Sequence, residues 1–488
     1  MANPAQEIKF TKLFINNEFV DSQSGKTFPT INPANGKKIA DVSEGSKEDV
    51  DIAVKAAQKA FELSSEWRSL DGSARGKLMN RFADLIERDA NILANIETLD
   101  NGKSFDDSLF DIQMSCDTLR YYAGFCDKIH GNSIPSDGNM FSYTRKEPIG
   151  VVGQIIPWNY SILMISWKFG PALAAGCVII LKPAQQTPLS ALYIAALSKE
   201  AGFPNGVINV INGYGDTGSA IAAHPDIQKV AFTGSIKVGK LVMETAAKTN
   251  LKKVSLELGG KSPLVVLDDA NLDDAVEAAH NGIFSNAGQN CCAASKTYVQ
   301  EGIYEKFVLK AVEMARNRKV GSGFEKDIQQ GPQIDQAMFD RIMTFIEYGK
   351  SDGATLEAGG KRWGNEGYFI EPTVFSNVTE DMKIAQEEIF GPVQSILKFK
   401  SLDEVIQRAN KSDFGLAAGI FTNNINDAMK FAHSVQAGSV WVNTYDAVTP
   451  QTPFGGYKQS GIGRELGMEG LEPYLEVKSV SIKLPAKY

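Results

Sequence analysis

Residues 176–213 read GCVIILKPAQQTPLSALYIAALSKEAGFPNGVINVING. GCVIILKP has the unbroken apolar run of a strand buried on both faces. PLSALYIAALSKEAG is helical in pattern and closes on Gly202. GVINVING is a second short strand punctuated by glycine. Strand, helix and strand in this order, with glycine at the turns, specify a βαβ unit and a parallel, doubly wound sheet.

The pattern continues on both sides of this unit. SAIAAH, QKVAFTG, KVGKLVMETAAKTN and KKVSLELGG extend it to residue 260. A second series follows: SPLVVLDD, NLDDAVEAAHNGIFSNAG, KTYVQ, the helix around IYEKFVLKAVEMARNRKVG, then LDEVIQRAN, GLAAGIFT, INDAMKFAHSVQ and SVWVN. The chain therefore reads as two α/β blocks joined between Glu257 and Ser262, with the helical stretch 47–130 packed on the first. MFSYTRKEPIG (140–150) and the C-terminal EVKSVSIKLPAKY are extended and belong to neither block. Val480, Ile482 and Leu484 share one face of the latter, an edge for a partner subunit to cover.

Composition narrows the function. The 488 residues are 43% hydrophobic and 22% charged, with net charge −8 and no basic run, which argues against nucleic acid and membrane surfaces as partners. The opening MANPAQEIKFTKLFI lacks a basic-then-apolar leader pattern, so the cytosol is the expected compartment. PIGVVGQIIPWNYSILMISW (148–167) is uncharged and long enough to span a bilayer. Gln154, Pro157 and Asn159 interrupt it, and it reads as a strand followed by a turn. Cys116, Cys126, Cys177, Cys291 and Cys292 have no regular spacing, and His130, His224, His280 and His433 lie far apart. Reduced thiols and no metal site are expected.

Several motifs sit where chemistry is possible. GYGDTG (Gly213, Gly215, Gly218) follows a strand and fits G-x-G-x-x-G, as would a ligand-free glycine turn. AFTGSIKVGK offers a second strand–glycine–helix junction at Gly234, Ser235 and Gly239, where bare N–H groups suit a phosphate. Lys182 lies after another strand. Glu257 in LELGGKSP ends a strand, as a general base or a solvated acid. Asn159 in PWN lies at the same sheet edge, as an oxyanion donor or a turn former. FSNAGQNCCAASKTYV (284–299) places Cys291 and Cys292 among small residues at a helix-to-strand loop. Buried packing competes there with a nucleophile, whose base would be a carboxylate because histidine is scarce.

IIPWN, KPAxQTPLSALY, AFTGSxxxG, LELGGKSP, GQxC, EEIFGPV and PFGGYKQSGxGRE occur in that order. Together they resemble the NAD(P)-dependent aldehyde dehydrogenases, nearly end to end, with details similar to the cytosolic/mitochondrial class that includes the retinal dehydrogenases. The resemblance implies an α/β aldehyde dehydrogenase fold: a Rossmann-like NAD(P) domain (1–129 and 149–259), a catalytic domain (260–459), and a small β oligomerisation arm (130–148 and 460–488) in a homotetramer built as a dimer of dimers.

It also implies roles. Cys291 is the nucleophile, Asn159 with the Cys291 N–H the oxyanion donors, Glu257 the general base, and Lys168 with Glu465 a proton relay. Ile155, Pro157, Trp158, Asn159, Lys182 and Gln185 face the cofactor, with Gly215 near its adenine and Gly234, Ser235 and Gly239 at its pyrophosphate. Glu257, Leu258, Gly259, Glu388 and Phe390 lie toward its nicotinamide half. The implied reaction runs through a thiohemiacetal, hydride transfer and a thioester that water opens.

The substrate tunnel is implied at Met114, Tyr160, Trp167, Ser285, Asn290, Cys292, Val448 and Phe454. Ser285 and Val448 suggest width and Met114 and Trp167 a narrower entrance, so retinal and small aliphatic aldehydes both stay open. Gln185 stands where many NAD-using members carry Glu, which removes a charge repelling a 2′-phosphate, so NAD is expected with NADP also accepted. Ser161, Ile236 and Asn290 are further departures that remove no catalytic group. A folate-linked formyl dehydrogenase relative is disfavoured by the lack of its extra N-terminal domain. A crystallin-like structural protein is disfavoured by the intact set Cys291, Glu257, Asn159 and Lys182.

Overall fold

The computed structural model describes residues 1–485. The last three residues of the expected C-terminal extended segment, 486–488, lie outside them. Two large sheets dominate. The first has eight strands in the order Gly461–Ile462, Lys253–Leu258, Lys229–Gly234, Val151–Ile155, Val178–Lys182, Ile208–Val210, Leu13–Ile15 and Glu18–Val20. Its five inner strands, Lys253–Leu258 through Ile208–Val210, run parallel. The unit in residues 176–213 folds as its pattern dictates. Val178–Lys182 is buried at every position, and the helix Leu189–Ala201 ends on Gly202 at φ 100°, a left-handed stop that glycine reaches without a Cβ penalty.

The uncharged run 148–167 divides as expected into the strand Val151–Ile155, a turn, and the start of the buried helix Ser161–Ala175. Among the described residues no helix is long and apolar enough to cross a membrane. The helices Lys47–Phe61, Gly72–Arg88, Ala90–Asp100 and Phe105–Ala123 bury Val50, Phe82, Leu93 and Leu119 in the core of the first sheet.

The second sheet has seven strands in the order Thr355–Ala358, Thr373–Ser376, Val393–Phe399, Lys296–Gln300, Pro263–Val266, Ala417–Phe421 and Ser439–Val442. Residues 259–262 lead from the carboxyl end of Lys253–Leu258 straight into the amino end of Pro263–Val266. That short crossing turns the carboxyl edge of the first sheet toward the amino edge of the second, and the crevice between them is where open α/β sheets take ligands.

A three-stranded arm pairs Leu475–Lys483 antiparallel with Met140–Pro148 and adds Ser133–Ile134. Val477 and Ile482 stay exposed on it. The segment expected as arm from residue 460 is not all arm. Gly461–Ile462 pairs with Leu256 and Glu257, so the first residues of that segment close the edge of the cofactor-side sheet.

Candidate active site

Five neighbouring strands of the first sheet deliver the predicted residues at their carboxyl ends. Val151–Ile155 leads to Pro157, Trp158 and Asn159, and Val178–Lys182 to Lys182 and the half-buried Gln185. Ile208–Val210 leads to Gly215, which opens the helix Gly215–Ala223. Lys229–Gly234 leads to Ser235, whose hydroxyl accepts from Val238 N–H and caps the helix Ile236–Lys248. Lys253–Leu258 ends at Glu257, Leu258 and Gly259. One edge therefore carries the predicted cofactor row except Glu388 and Phe390, which lie just before the strand Val393–Phe399 of the second sheet.

The geometry of that edge fits a dinucleotide. A Cβ at Gly239 would meet Leu258 at 2.7 Å and one at Gly259 would meet the Glu388 carboxylate at 2.2 Å, so the backbone itself forms these walls. Lys182 is buried with a single partner, its Nζ donating to the Pro183 carbonyl at 3.0 Å, and burial holds it down to about 8. Glu388 accepts from Gly260 N–H at 3.0 Å and burial pushes its carboxyl up to about 7. Phe390, at φ 64°, meets Trp158 edge-on at 5.4 Å. Bare helix-start amides, an under-partnered ammonium and a carboxylate over glycine are the donors and acceptors that a pyrophosphate and two riboses require.

The second sheet supplies the thiol. The helix Leu272–Phe284 gives way to Ser285–Gly288, where Asn286, Ala287 and Gly288 take successive positive φ values of 49°, 56° and 73°. Left-handed conformations cost a non-glycine residue about 1–2 kcal/mol, so neighbours must hold this turn. They do. Asn286 Nδ2 donates to the Asn159 carbonyl at 2.9 Å, Gln333 to the Ala287 carbonyl at 3.3 Å, and Ile334 N–H to Gln289 Oε1 at 2.9 Å. Gly288 lies so close to the Gly391 carbonyl that no side chain fits there.

Cys291 emerges half-buried from this turn, whereas Cys292 is buried; all five cysteines are unpaired thiols. Cys291 lines a cavity of about 240 Å³ together with Glu257. The eight predicted tunnel residues, Met114, Tyr160, Trp167, Ser285, Asn290, Cys292, Val448 and Phe454, all lie on its wall. Asn159 is buried, and its Nδ2 donates to the Gln289 carbonyl at 3.1 Å, which leaves its second N–H free.

Electrostatics at the thiol are dominated by burial and by like neighbours. The Glu257 carboxyl is pushed up to about 8 by loss of water, and its Oε1 has no partner. The Cys291 thiol is pushed up as well, first by the adjacent Cys292 sulfur, then by burial and the Glu257 charge. The two groups line the same cavity and act on each other, so they titrate as a coupled pair with both raised. Behind them Lys168 Nζ donates to Glu465 Oε1 at 2.6 Å and to Thr233 Oγ1 at 2.7 Å. The Glu465 charge acts on Glu257 upward and the Lys168 charge downward.

Sequence reasoning missed part of the wall. Lys103 and Asp111 form a buried ion pair lining the cavity, and Lys103 Nζ also lies 4.4 Å from the centre of the Tyr160 ring. In sequence, DNGKSFDDSLFD looks like a solvated acidic helix start, and nothing local marks Lys103 as buried. Asp446 was missed too, because TYDAVTP reads as an ordinary turn. Among the described residues no group of three or more His, Cys, Asp or Glu is placed to hold a metal ion.

Comparison with known proteins agrees with this architecture. Residues 19–480 match the aldehyde dehydrogenase family, and the chain belongs to it. It is 57% identical to human (Homo sapiens) retinal dehydrogenase 2 over 486 residues, 99% of this chain and 94% of that protein. Its fold superposes on the NAD+ complex of an aldehyde dehydrogenase from Bacillus cereus with TM-score 0.96 at 51% identity, covering 97% of both chains. It superposes on betaine aldehyde dehydrogenase from Staphylococcus aureus in complex with NAD+ with TM-score 0.95 at 42% identity, covering 98% of this chain and 95% of that one.

Proposed function

We propose that this chain oxidises aldehydes to carboxylic acids with NAD(P)+, using Cys291 as the nucleophile. One observation carries the reading: a half-buried thiol shares the wall of a 240 Å³ cavity with a carboxyl held near 8, and the Asn159 amide is anchored to the Gln289 carbonyl, two residues before that thiol, with one N–H free. The Cys291 S–H bond breaks, its proton passes to Glu257, and the sulfur pair attacks the carbonyl carbon. The Asn159 amide and the Cys291 backbone N–H receive the oxyanion, each such donor being worth about 3–4 kcal/mol. NAD(P)+, when bound, supplies the hydride acceptor that turns the tetrahedral adduct into a thioester. Lys182, Gly234, Ser235, Gly239, Glu388 and Phe390 would hold it. Glu257 passes the thiol proton outward by way of Glu465 and Lys168 and so regains its basic form; it then takes a proton from water, whose oxygen opens the thioester, and returns that proton to the leaving Cys291 sulfur as the acid is released.

The wall favours an uncharged, apolar aldehyde. Phe110, Met114, Leu163, Trp167, Val448 and Phe454 line it. The Tyr160 ring face, which would attract a cationic substrate, is already occupied by the Lys103 ammonium. This supports retinal or a medium aliphatic chain over a betaine-type aldehyde. NAD is the main cofactor and NADP is also accepted, because Gln185 carries no charge to repel a 2′-phosphate. The arm, with Val477 and Ile482 exposed, fits assembly into a homotetramer, which sedimentation would test.

The test of function is NADH formation with acetaldehyde, hexanal, retinal and betaine aldehyde for the native chain and for Cys291→Ala. Turnover by the native chain alone, fastest with an apolar aldehyde, is expected. Undiminished turnover by Cys291→Ala would defeat the reading, and preference for betaine aldehyde would defeat the substrate class.

A further inference from the structure

The proposed mechanism leaves Asp446 and Cys292 without work, yet their geometry is tightly specified. The Cys292 thiol donates to Asp446 Oδ1 at 3.1 Å, nearer than its alternative acceptor, Asn290 Oδ1, at 3.4 Å. The other carboxylate oxygen, Oδ2, accepts from Asn290 Nδ2 at 2.8 Å. Tyr445 Oη fixes the same turn by donating to the Cys292 carbonyl at 2.7 Å. A thiol has one proton to give, and a charge-assisted bond to a carboxylate outcompetes a neutral amide oxygen.

The consequence falls on the neighbour. With its proton committed to Asp446, the Cys292 sulfur can only accept from Cys291. Both thiols point to one amide oxygen, Asn290 Oδ1, at 3.9 Å from the Cys291 sulfur and 3.4 Å from the Cys292 sulfur, and the neighbours that push the Cys291 thiol up are Cys292 and Glu257. Nothing on the Cys292 side offers a donor to a Cys291 thiolate. We infer that Asp446 is a positioning residue for the nucleophile: by holding the Cys292 proton it keeps Cys292 an acceptor, so that Cys291 rests as a thiol and surrenders its proton only to Glu257. The inference rests on Cys291 being the reacting sulfur. It assigns Asp446 an action through Cys292, without contact to the aldehyde.

Other ionisable groups near the pair work in the same direction or are already neutralised. Glu257 disfavours a second negative charge at Cys291. Tyr160 and Tyr445 are buried phenols pushed up by burial, and so remain neutral. Across the cavity Lys103 is spent on Asp111. Burial raises Asp446 itself, and the Cys292 and Asn290 donors, one on each of its oxygens, oppose that rise.

The test is the pH dependence of Cys291 alkylation by iodoacetamide, followed on the Cys291-containing peptide by mass spectrometry in the full-length protein. Asp446→Asn preserves shape. Its one oxygen is claimed by Asn290, its NH2 turns to the Cys292 sulfur, and the Cys292 proton is freed toward Cys291. The alkylation midpoint should fall by about one pH unit or more, the scale of one hydrogen bond to a charged group. In a Cys292→Ala background no proton can be freed, so Asp446→Asn should then leave the midpoint where Cys292→Ala alone puts it. Asp446→Ala serves as a second probe in both backgrounds. A midpoint unmoved by either Asp446 variant would overturn the inference. So would an equal shift with and without Cys292, because Asp446 would then act by charge or packing alone. Alkylation needs no turnover, so failure to oxidise any aldehyde would defeat the proposed activity and still leave this result readable.

Discussion

The cofactor edge and the substrate cavity meet at Cys291 but are made of different material. The edge is backbone: helix-start amides after Gly234, and glycines whose missing Cβ leaves room for Leu258 and Glu388. The cavity is side chains gathered from distant segments, among them Lys103, Met114, Tyr160, Trp167, Asn290, Asp446 and Phe454. Backbone walls hold a ligand whose shape does not change, and the smallest added group harms them. Side-chain walls can be resized for new aldehydes, provided the few polar atoms at the thiol stay fixed.

Substitutions on the two sides should therefore fail differently. The largest loss belongs to Cys291→Ala. Turnover should drop on the order of 10⁶-fold, as when other covalent nucleophiles are removed, while NADH fluorescence titration shows unchanged cofactor binding. If binding fell along with turnover, the division between edge and cavity would break. Glu257→Gln should cost about 10²–10⁴-fold. Because burial raises this carboxyl to about 8, the basic form appears only as pH rises through that value. The native kcat/KM should climb with pH over the same range, and the variant should lose that limb. A persistent limb in the variant would assign the base elsewhere.

Asn159→Ala should lower kcat by about 10²–10³-fold with the cofactor KM unchanged, the effect of one lost oxyanion donor. On the edge, Gly239→Ala forces a methyl against Leu258. Overpacking of this kind costs about 1–3 kcal/mol, so the NAD KM should rise about tenfold or more, with kcat nearly intact. A drop in kcat instead would show that the edge tunes chemistry as well as binding. The smallest effect is Gln185→Glu, which restores a charge facing a 2′-phosphate and should shift the NAD-to-NADP rate ratio about tenfold toward NAD.

The same contrast governs what the sequence discloses. Edges built by short strands and glycine turns leave local signatures, so Lys182, Gly234, Ser235, Glu257 and Gly259 could be placed from GCVIILKP, AFTGS and LELGG alone, and the structure brings them to one edge. The second sheet and the arm were legible for the same reason. Choosing Cys291 over Cys292 needed the family resemblance, because local pattern treats two adjacent thiols alike. Lys103, Asp111 and Asp446 escaped altogether. Their burial depends on helices and loops that meet only in three dimensions, and charged residues default to solvent in any pattern-based reading. The pairing of Gly461–Ile462 with Leu256 and Glu257 escaped because two residues are too few to show a period.

The seat of Gly288 against the Gly391 carbonyl has a bearing on biogenesis. A chain still emerging from the ribosome reaches the nucleophile loop well before the segment it leans on has been made. Until that later stretch arrives and docks, the left-handed turn has its bond to the Asn159 carbonyl but lacks the backbone against which Gly288 is seated. The shape of this loop is thus completed only late in folding, after segments on both sides of it in sequence have docked.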